Sequence, residues 1–187
     1  KMIREENGRM LTQVENVLRI SQLERSSDPI KKVKVDLHSI IEEAVKHIEL
    51  ILADKSGILS KKYNATETIV FGNKSHLTNI IVNLLDNALK YCEKKPKIVV
   101  ETINHDNYLI IKINDNGIGM NPATQKKVFD KFYRATSGNI HNVKGHGLGL
   151  AYVKKIIDFH KGEIKLESKV NEGTTFRIAL PLYQKYY

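Results

Sequence analysis

The stretch from Asn79 to Tyr91 reads Asn-Ile-Ile-Val-Asn-Leu-Leu-Asp-Asn-Ala-Leu-Lys-Tyr. Because an α-helix advances about 100° per residue, this spacing separates the apolar side chains from the polar ones. The apolar face holds Leu77, Ile81, Leu84, Leu85 and Ala88, and the polar face holds Asn79, Asn83, Asp86, Asn87 and Lys90. The stretch therefore predicts an amphipathic helix with an amide-rich outer face.

Two interpretations of the polar face stay open. Most such faces are simply solvated. Asn, however, costs roughly 0.5 kcal/mol or more relative to Ala inside a helix, and here three Asn recur at i, i+4 and i+8. Their amide oxygens suit a hard cation. We therefore favour a row of residues that binds a ligand.

Size and composition predict one compact cytoplasmic domain with an appendage. The chain has 187 residues, is 41% hydrophobic and contains one cysteine, Cys92. That single cysteine excludes an intramolecular disulfide and fits a reducing compartment. No run approaches the ~18 apolar residues of a membrane span, and no signal peptide is evident. Because the chain begins with Lys, we expect a fragment of a longer protein.

The net charge of +9 raises the possibility of a nucleic-acid partner. The basic residues are spread, however, and no aromatic ladder interleaves with them, as single-strand binders require. A polyanionic ligand such as a nucleotide triphosphate would also explain the charge. We expect no nucleic-acid partner.

The chain divides near residue 30. Residues 1 to 25 predict a helix whose apolar stripe needs a partner helix, and Ser26 to Pro29 end it. We expect an appendage at residues 1–28, a linker at 29–35 and a compact domain at 36–187. Lys31 to Val35 could equally be a short edge strand.

The compact domain alternates helices with strands in a way that predicts an antiparallel or mixed sheet with helices on one face. The expected helices begin at Asp36 (ending near Lys55), at Asn73 or Ser75, at Asn121 (ending near Phe132) and at Gly145 (ending at His160). The expected strands are 58–63, 68–71, 97–103, 108–114, 163–169 and 174–182, and the expected lid is 135–144.

Two glycine-rich stretches add candidate chemistry. In Asp115-Asn-Gly-Ile-Gly-Met120, a strand-terminal carboxylate could accept a hydrogen bond from an exocyclic amino group, which contributes about 1.5–3 kcal/mol. The glycines would let the backbone approach a ligand, although an ordinary turn is the alternative. Glycines at 145, 147 and 149 precede a helix, where backbone N–H groups can bind an anion. No Gly-Lys-Ser/Thr follows, so this is not a Walker loop.

Taken together, five motifs in order resemble the ATP-binding domain of sensor histidine kinases, in the superfamily shared with gyrase, MutL and the large heat-shock chaperones. The matching motifs are 83–91, 115–120, 129–134 (Phe-Asp-Lys-Phe-Tyr-Arg), 145–150 (Gly-His-Gly-Leu-Gly-Leu) and 173–176 (Gly-Thr-Thr-Phe). The resemblance extends from Asp36 to Leu182. It implies a two-layer α/β sandwich of the Bergerat type, in which a mixed, mostly antiparallel sheet packs on helices. ATP would lie between the Asn-rich helix and the lid.

The resemblance also implies roles for individual residues. Asn87 would hold the Mg²⁺ that bridges the phosphates, and Asp115 would pair with the adenine amino group. The other expected ATP contacts are Asn83, Lys90, Tyr91, Gly117, Gly119, Met120, Tyr133, Arg134, Gly145, His146, Gly147, Leu148, Gly149, Leu150 and Thr174. Three alternatives stay open: Phe129 and Phe132 as core anchors of the lid, Arg134 as a surface ion pair, and His146 as a lid residue without a phosphate contact.

Asn83 separates the reaction classes, and with Arg134 it is a candidate catalytic residue. In the ATP-hydrolysing relatives, the residue four before the Mg²⁺-binding Asn is a Glu that activates water. Asn83 is not a useful general base near neutral pH. A neutral imidazole acceptor needs no strong base, so phosphoryl transfer would depend on positioning and on charge neutralisation. The sequence therefore favours a kinase with little ATP hydrolysis.

The phosphoacceptor histidine of the family is missing, because no histidine here precedes an acidic residue, Thr or Asn, and Pro. Residues 1–25 resemble the second helix of the family's dimerisation hairpin. We therefore expect a fragment that binds Mg·ATP without phosphorylating itself. Its parent would be a homodimeric, inner-membrane sensor that passes the phosphoryl group to the receiver domain of a response regulator. Exposed Met10, Val14 and Val17 could drive self-association.

Other functions remain as alternatives. An ATP-gated clamp like gyrase or MutL would need the missing Glu and a transducer domain. A serine kinase of the anti-sigma type uses a similar nucleotide site, although the leading helix favours a sensor kinase. A non-enzymatic nucleotide-binding module conflicts with the intact Asn87, Asp115 and glycines. DNA binding through the net charge comes last.

Overall fold

The computed structural model describes residues 31–134 and 147–184. The strands are β1 (Val33–Asp36), β2 (Ile58–Tyr63), β3 (Ile69–Gly72), β4 (Lys97–His105), β5 (Tyr108–Asp115), β6 (Glu163–Lys169) and β7 (Gly173–Pro181). The helices are α1 (Leu37–Asp54), α2 (Lys74–Lys90), α3 (Pro122–Lys127) and α4 (Gly149–Phe159). The predicted helix at 1–25 and the predicted lid at 135–144 lie outside the described residues.

Five strands form a mixed sheet in the order β2-β4-β5-β7-β6. Only the β2–β4 pair is parallel, and the other three pairs are antiparallel. Strand β5 is therefore central, and its last residue, Asp115, is opposite Ile98 of β4 and Thr174 of β7. The predicted fold, a mostly antiparallel mixed sheet packed on helices, is confirmed.

A second, two-stranded sheet joins β1 and β3, with Val33 opposite Gly72 and Asp36 opposite Ile69. It resolves the alternative for residues 31–35, since Val33 to Val35 form an edge strand that begins inside the expected linker. Strand β1 runs directly into α1, so Asp36 is both the last strand residue and the helix N-cap.

Three helices begin at the predicted caps. The side chains of Asp36, Asn73 and Asn121 accept hydrogen bonds from backbone N–H groups two or three residues ahead. Each cap satisfies a donor that the first turn of the helix leaves without a partner. For α2 the cap is therefore Asn73, not Ser75, which fixes where the Asn-rich helix starts.

The core lies between the helices and one face of the large sheet. The buried side of α2 comprises Leu77, Thr78, Ile80, Ile81, Leu84, Leu85, Ala88 and Leu89. On the sheet, the opposite face carries polar groups such as the Glu101–Lys112 ion pair, whose charged atoms are 3.6 Å apart. Full burial of a Leu or Ile side chain contributes about 1.5–3 kcal/mol. This burial holds the amide-rich face of α2 away from the core.

Two predicted helix ends are wrong. Helix α3 ends at Lys127, not near Phe132: the Asp130 N–H donates to the Lys127 carbonyl at 2.8 Å in a turn. Phe132 itself has φ +64°, which a right-handed helix cannot include. The last helix begins at Gly149, not at the preceding glycines, because Gly147 has φ +68° and cannot continue a right-handed helix.

Two further observations concern membrane-spanning helices and the cysteine. No helix between residues 31 and 134 or between 147 and 184 has the length and apolar character that crossing a bilayer requires. Cys92 is buried as a free thiol.

Candidate functional site

Asp115 is a buried acid with one carboxylate oxygen available to a ligand. Its side chain is 8% exposed, and Oδ1 accepts hydrogen bonds from the N–H groups of Gly117 (2.8 Å) and Thr174 (3.2 Å). Oδ2 has no partner among the described residues and is not fully enclosed. Burial raises the pKa of this carboxyl, although the two N–H donors act in the opposite direction. The carboxylate is therefore fixed through one oxygen and presents the other as an acceptor.

The glycine turn after Asp115 lies directly on the C-terminal end of α2. The Ile118 N–H donates to the Tyr91 carbonyl at 2.9 Å, and Tyr91 is the C-cap of that helix. A Cβ at Gly117 would lie 2.6 Å from the same carbonyl oxygen and 2.9 Å from Oδ1 of Asp115. Only glycine permits this approach, which brings the acid next to the end of the Asn-rich helix.

The β6–β7 turn closes the other side of the acid. Gly173 has φ +116°, and a Cβ there would collide with the Asp115 carbonyl oxygen. Gly119 has φ +65°, and a Cβ there would collide with the carbonyl oxygen of Lys169. Both positions require glycine because of conformation and space together. Thr174, predicted to support the base, thereby lies against Asp115.

The amide row of α2 faces the start of α4. The Asn83 side chain donates from Nδ2 to the Asn79 carbonyl at 2.8 Å, and its Oδ1 would lie 2.8 Å from a Cβ at Gly149. Asn87, one turn further, is half-buried, and its side chain makes no hydrogen bond to residues 31–134 or 147–184. The structure therefore brings the third glycine of the 145–149 turn to Asn83 and leaves the Asn87 amide available.

The glycine turn before α4 also contacts the segment after α3. A Cβ at Gly147 would lie 2.7 Å from the backbone of Phe132 and of Tyr133. Leu148, the N-cap of α4, provides no side-chain cap to the first turn, and its side chain is buried in the core. Within residues 31–134 and 147–184, no side chain caps the first N–H groups of α4, so these groups could bind an anion next to Asn83.

The remaining predicted site residues make fewer contacts with Asp115 and the Asn row. Lys90 is exposed and forms an ion pair with Asp86 at 3.0 Å, so its ammonium group lies along the helix. The Tyr133 hydroxyl is 3.5 Å from Oγ1 of Thr124, and Arg134 is exposed at the end of the described segment. Leu150 and Met120 pack partly against the core. Gly145 and His146 lie outside the described residues.

Of the two phenylalanines that could anchor the lid in the core, the structure supports only one. Phe129 is partly buried and packs against the hydrophobic core, as a core anchor should. Phe132 is 66% exposed, so the anchor interpretation is wrong for it. Its left-handed backbone conformation and contact with Gly147 make it part of the turn that faces α4.

Two residues that the sequence did not indicate support the turn. Ser168 accepts a hydrogen bond from the Met120 N–H at 2.8 Å, and Gln125 donates to the carbonyls of Met120 (2.9 Å) and Ser168 (2.8 Å). The sequence held one indication of Ser168. It lies on the same face of β6 as Ile164 and Leu166, where an apolar residue is expected.

The residues present fit a magnesium ion that arrives with a nucleotide. Within the described ranges, no cluster of three or more His, Cys, Asp or Glu side chains could hold a metal. Mg²⁺ commonly keeps several waters and shares its coordination with substrate phosphates. The available amide oxygen of Asn87, one helical turn beyond Asn83, suits that arrangement.

Comparison with known proteins identifies the family. A family model described as histidine kinase-, DNA gyrase B- and HSP90-like ATPase matches residues 72–184, which include α2, the Asp115 turn and α4. Sensor protein RprX of Bacteroides fragilis (strain YCH46) is 45% identical over 183 residues, which make up 97% of this chain and 35% of that protein. The chain thus corresponds to a part of that relative.

Solved structures show the same fold. The mycobacterial sensor histidine kinase MprB superposes with a TM-score of 0.69 at 26% identity, covering 81% of this chain and 97% of that chain. The histidine kinase ThkA, in complex with the response regulator protein TrrA, gives 0.77 at 20% identity over 97% of this chain and 50% of that chain. The chain therefore belongs to the histidine kinase-, DNA gyrase B- and HSP90-like ATPase family.

Proposed function

We propose that the chain is the ATP-binding catalytic domain of a two-component sensor histidine kinase. It transfers the γ-phosphoryl group of Mg·ATP to a histidine outside this sequence, for relay to an aspartate of a response regulator. The observation that carries the proposal is the buried carboxylate of Asp115, which lies in a glycine turn at the end of the Asn-rich helix and has Oδ2 available to a ligand. A buried acceptor at that place suits the amino group of adenine.

In this proposal, the two ends of the nucleotide meet different parts of the site. Adenine lies against Asp115 and Thr174, and the phosphates extend along Asn87 toward the first turn of α4. Asn87 would hold a magnesium ion together with the phosphates, and that ion would supply positive charge next to the transferred group. Lys90, Tyr91, Tyr133, Arg134 and residues 145–150 complete the site, as the family resemblance implies.

Asn83 supports kinase chemistry over hydrolysis. Its amide nitrogen is engaged with the Asn79 carbonyl, and an amide has no basic lone pair with which to take a proton from water. A histidine acceptor brings its own lone pair. We therefore expect the domain to hold ATP in position for a histidine rather than to activate water.

The proposal extends to the parent protein. Residues 1–28 would supply one helix of a dimerisation hairpin, and the parent would be a homodimeric sensor whose catalytic part lies in the cytoplasm, beneath the inner membrane. A sensor parent is supported by RprX, which is described as a sensor protein and is 45% identical to this chain over 97% of its length.

Titration with an ATP analogue tests the proposal. Calorimetric titration of the wild-type chain with AMP-PNP and Mg²⁺ should give saturable one-site binding. Asp115→Asn replaces an acceptor oxygen by a donor amide, which would face the adenine amino group, so affinity should fall at least about 30-fold, or 2 kcal/mol.

The matched control is Asp106→Asn, the same change at an exposed turn residue on the opposite end of β5. It should bind the analogue like the wild type. Equal affinity of the wild type and Asp115→Asn, with both chains folded by circular dichroism, would reject the assigned pocket.

A further inference from the structure

Ser168 lies outside every motif that carries the family resemblance, yet its hydroxyl contacts both segments that enclose Asp115. We propose that Ser168 is a positioning residue for base recognition, an inference that rests on the proposed function. It fixes the Asp115–Met120 turn and orients the Thr174 hydroxyl, so that the pocket presents hydrogen-bond acceptors to the base. A nucleotide with an amino group at the matching position is thereby selected.

Three contacts define the position of the Ser168 hydroxyl. Its oxygen accepts from the Met120 N–H at 2.8 Å, donates to the Gly173 carbonyl at 2.9 Å and is 2.9 Å from Oγ1 of Thr174. Met120 ends the glycine turn, whereas Gly173 and Thr174 belong to the β6–β7 turn. One side chain on β6 therefore joins the two turns on either side of the acid.

The donor and acceptor capacity of a hydroxyl fixes the direction of these bonds. A serine has one O–H donor and two acceptor lone pairs. If the hydrogen points to the Gly173 carbonyl, both lone pairs are used, one by the Met120 N–H and the other by the Thr174 O–H. The alternative, donation to Thr174, would leave the carbonyl of the buried Gly173 without this donor, which is unfavourable.

This direction has a consequence for Thr174. Because its O–H is directed at Ser168, its oxygen lone pairs are left for the pocket. The Thr174 N–H is also used, since it donates to Oδ1 of Asp115 at 3.2 Å. Thr174 and Oδ2 of Asp115 then both offer acceptors, and a donor on the base, or a water between them, completes the set.

Gln125 strengthens the same support from α3. Its amide nitrogen donates to the Met120 carbonyl at 2.9 Å and to the Ser168 carbonyl at 2.8 Å. Met120 is therefore held through its N–H by Ser168 and through its carbonyl by Gln125. The Asn171 N–H adds a bond of 2.7 Å to the Ile118 carbonyl, so the turn cannot shift without breaking several contacts.

Two nucleotides that differ at one group test the proposal. Inosine triphosphate carries a carbonyl where ATP carries the amino group, so the ratio of their affinities measures base recognition separately from phosphate binding. The wild-type chain should prefer Mg·ATP. Ser168→Ala should weaken ATP binding about tenfold and change inosine triphosphate binding less than twofold, because the acceptor arrangement is lost while the phosphate contacts remain.

Three further variants separate positioning from structure. Ser168→Thr keeps the hydroxyl and should restore the wild-type ratio. Ser168→Cys, of similar volume but with weak hydrogen bonding, should behave like Ser168→Ala and substitutes for it if that variant does not fold. Thr175→Ala deletes a hydroxyl that accepts from Asn114 at 2.7 Å on the other face of the same hairpin, and should leave the ratio unchanged.

The outcomes distinguish a failure of the role assigned to Ser168 from a failure of the proposed function. A wild-type ratio in folded Ser168→Ala or Ser168→Cys, or an equal loss for both nucleotides, overturns the role of Ser168 and leaves the proposed function standing. A wild-type chain that fails to bind Mg·ATP overturns the proposed function and this inference together.

Discussion

The Asp115 carboxylate is shaped by two opposed effects. Burial disfavours its charged form and raises its pKa, while the N–H groups of Gly117 and Thr174 stabilise the charge. Both donors bond Oδ1, so the charge is held by one oxygen and the other remains for recognition. A base that lacks the matching donor would leave a buried acceptor unpaired, which costs about 1–3 kcal/mol.

Gly117→Ala should damage this recognition without unfolding the domain. The added Cβ would lie 2.6 Å from the Tyr91 carbonyl oxygen, so the turn and the end of α2 must separate by several tenths of an ångström. Because the backbone at Gly117 is not in the left-handed region, the fold can accommodate the change. We expect ATP-analogue affinity to fall about tenfold, measured by calorimetry.

Gly57→Ala is the matched control, since the three atoms nearest its Cβ would all belong to Leu52 and none to the turn that holds Asp115. It should bind the analogue normally. Unchanged affinity in Gly117→Ala would mean that the glycine turn does not position Asp115.

Sequence alone predicted Asp115, Gly117 and Gly119 because a strand-terminal acid before spaced glycines is a local pattern. It did not predict Ser168 or Gln125, because their partners are set by strand pairing and by the packing of α3. Ser168 meets Thr174 only through the β6–β7 register. Such contacts between distant residues leave no spacing signal in one sequence.

At the scale of elements, His160 ties the end of α4 to the start of α2. Its Nε2 accepts from the Asn73 N–H at 3.1 Å, and its Nδ1 donates to the Ile156 carbonyl at 2.7 Å. The two bonds together require a neutral ring with its proton on Nδ1. Burial, with Lys32 and His76 nearby, lowers the pKa of His160 to about 4.

This arrangement should make the domain less stable in mild acid. As the pH falls from about 6.5 toward 4, the unfolded chain binds a proton at this histidine before the folded chain does. The free energy of unfolding should therefore drop by about 2 kcal/mol between pH 7 and pH 5 from this group. Urea denaturation at the two pH values measures the change.

His160→Gln keeps an acceptor for the Asn73 N–H but cannot titrate, so the difference between wild type and variant isolates the contribution of this histidine from that of every other group. The variant should lose less stability than the wild type over the same range. Equal losses in both chains would contradict the assignment.

Helices and strands were predicted more accurately in their middles than at their ends. Hydrophobic periodicity located α1, α2 and both hairpins, because burial sets that pattern. Phe132, which was expected at the end of α3, and Gly147, which precedes α4, both have left-handed backbones and lie against each other. A non-glycine residue in that conformation gives no sequence signal, so the helix was extended too far.

At the scale of the whole molecule, the absence of a suitable acceptor should govern activity. No histidine of the chain has the sequence context of the phosphoacceptor, and Asn83 cannot serve as a base for water. After incubation with γ-labelled Mg·ATP, the purified chain should retain no acid-labile label, and steady-state phosphate release should stay near background. A chain in which Asp115→Asn removes ATP binding sets that background.

Label retained on the wild type and lost in Asp115→Asn would show an acceptor inside these 187 residues and contradict this expectation. Rapid phosphate release that depends on Asp115 would instead favour the hydrolytic branch of the family.

The central claim is that the Asn row of α2, Asp115 and the turn before α4 serve one nucleotide. Backbone-amide NMR during titration with Mg·AMP-PNP tests it most directly. We predict that the amides that shift, with a common binding curve, cluster at Asn83, Asn87, residues 115–120, 147–149 and Thr174. Shifts confined to one of these segments, or centred on the β1–β3 ribbon instead, would contradict the account.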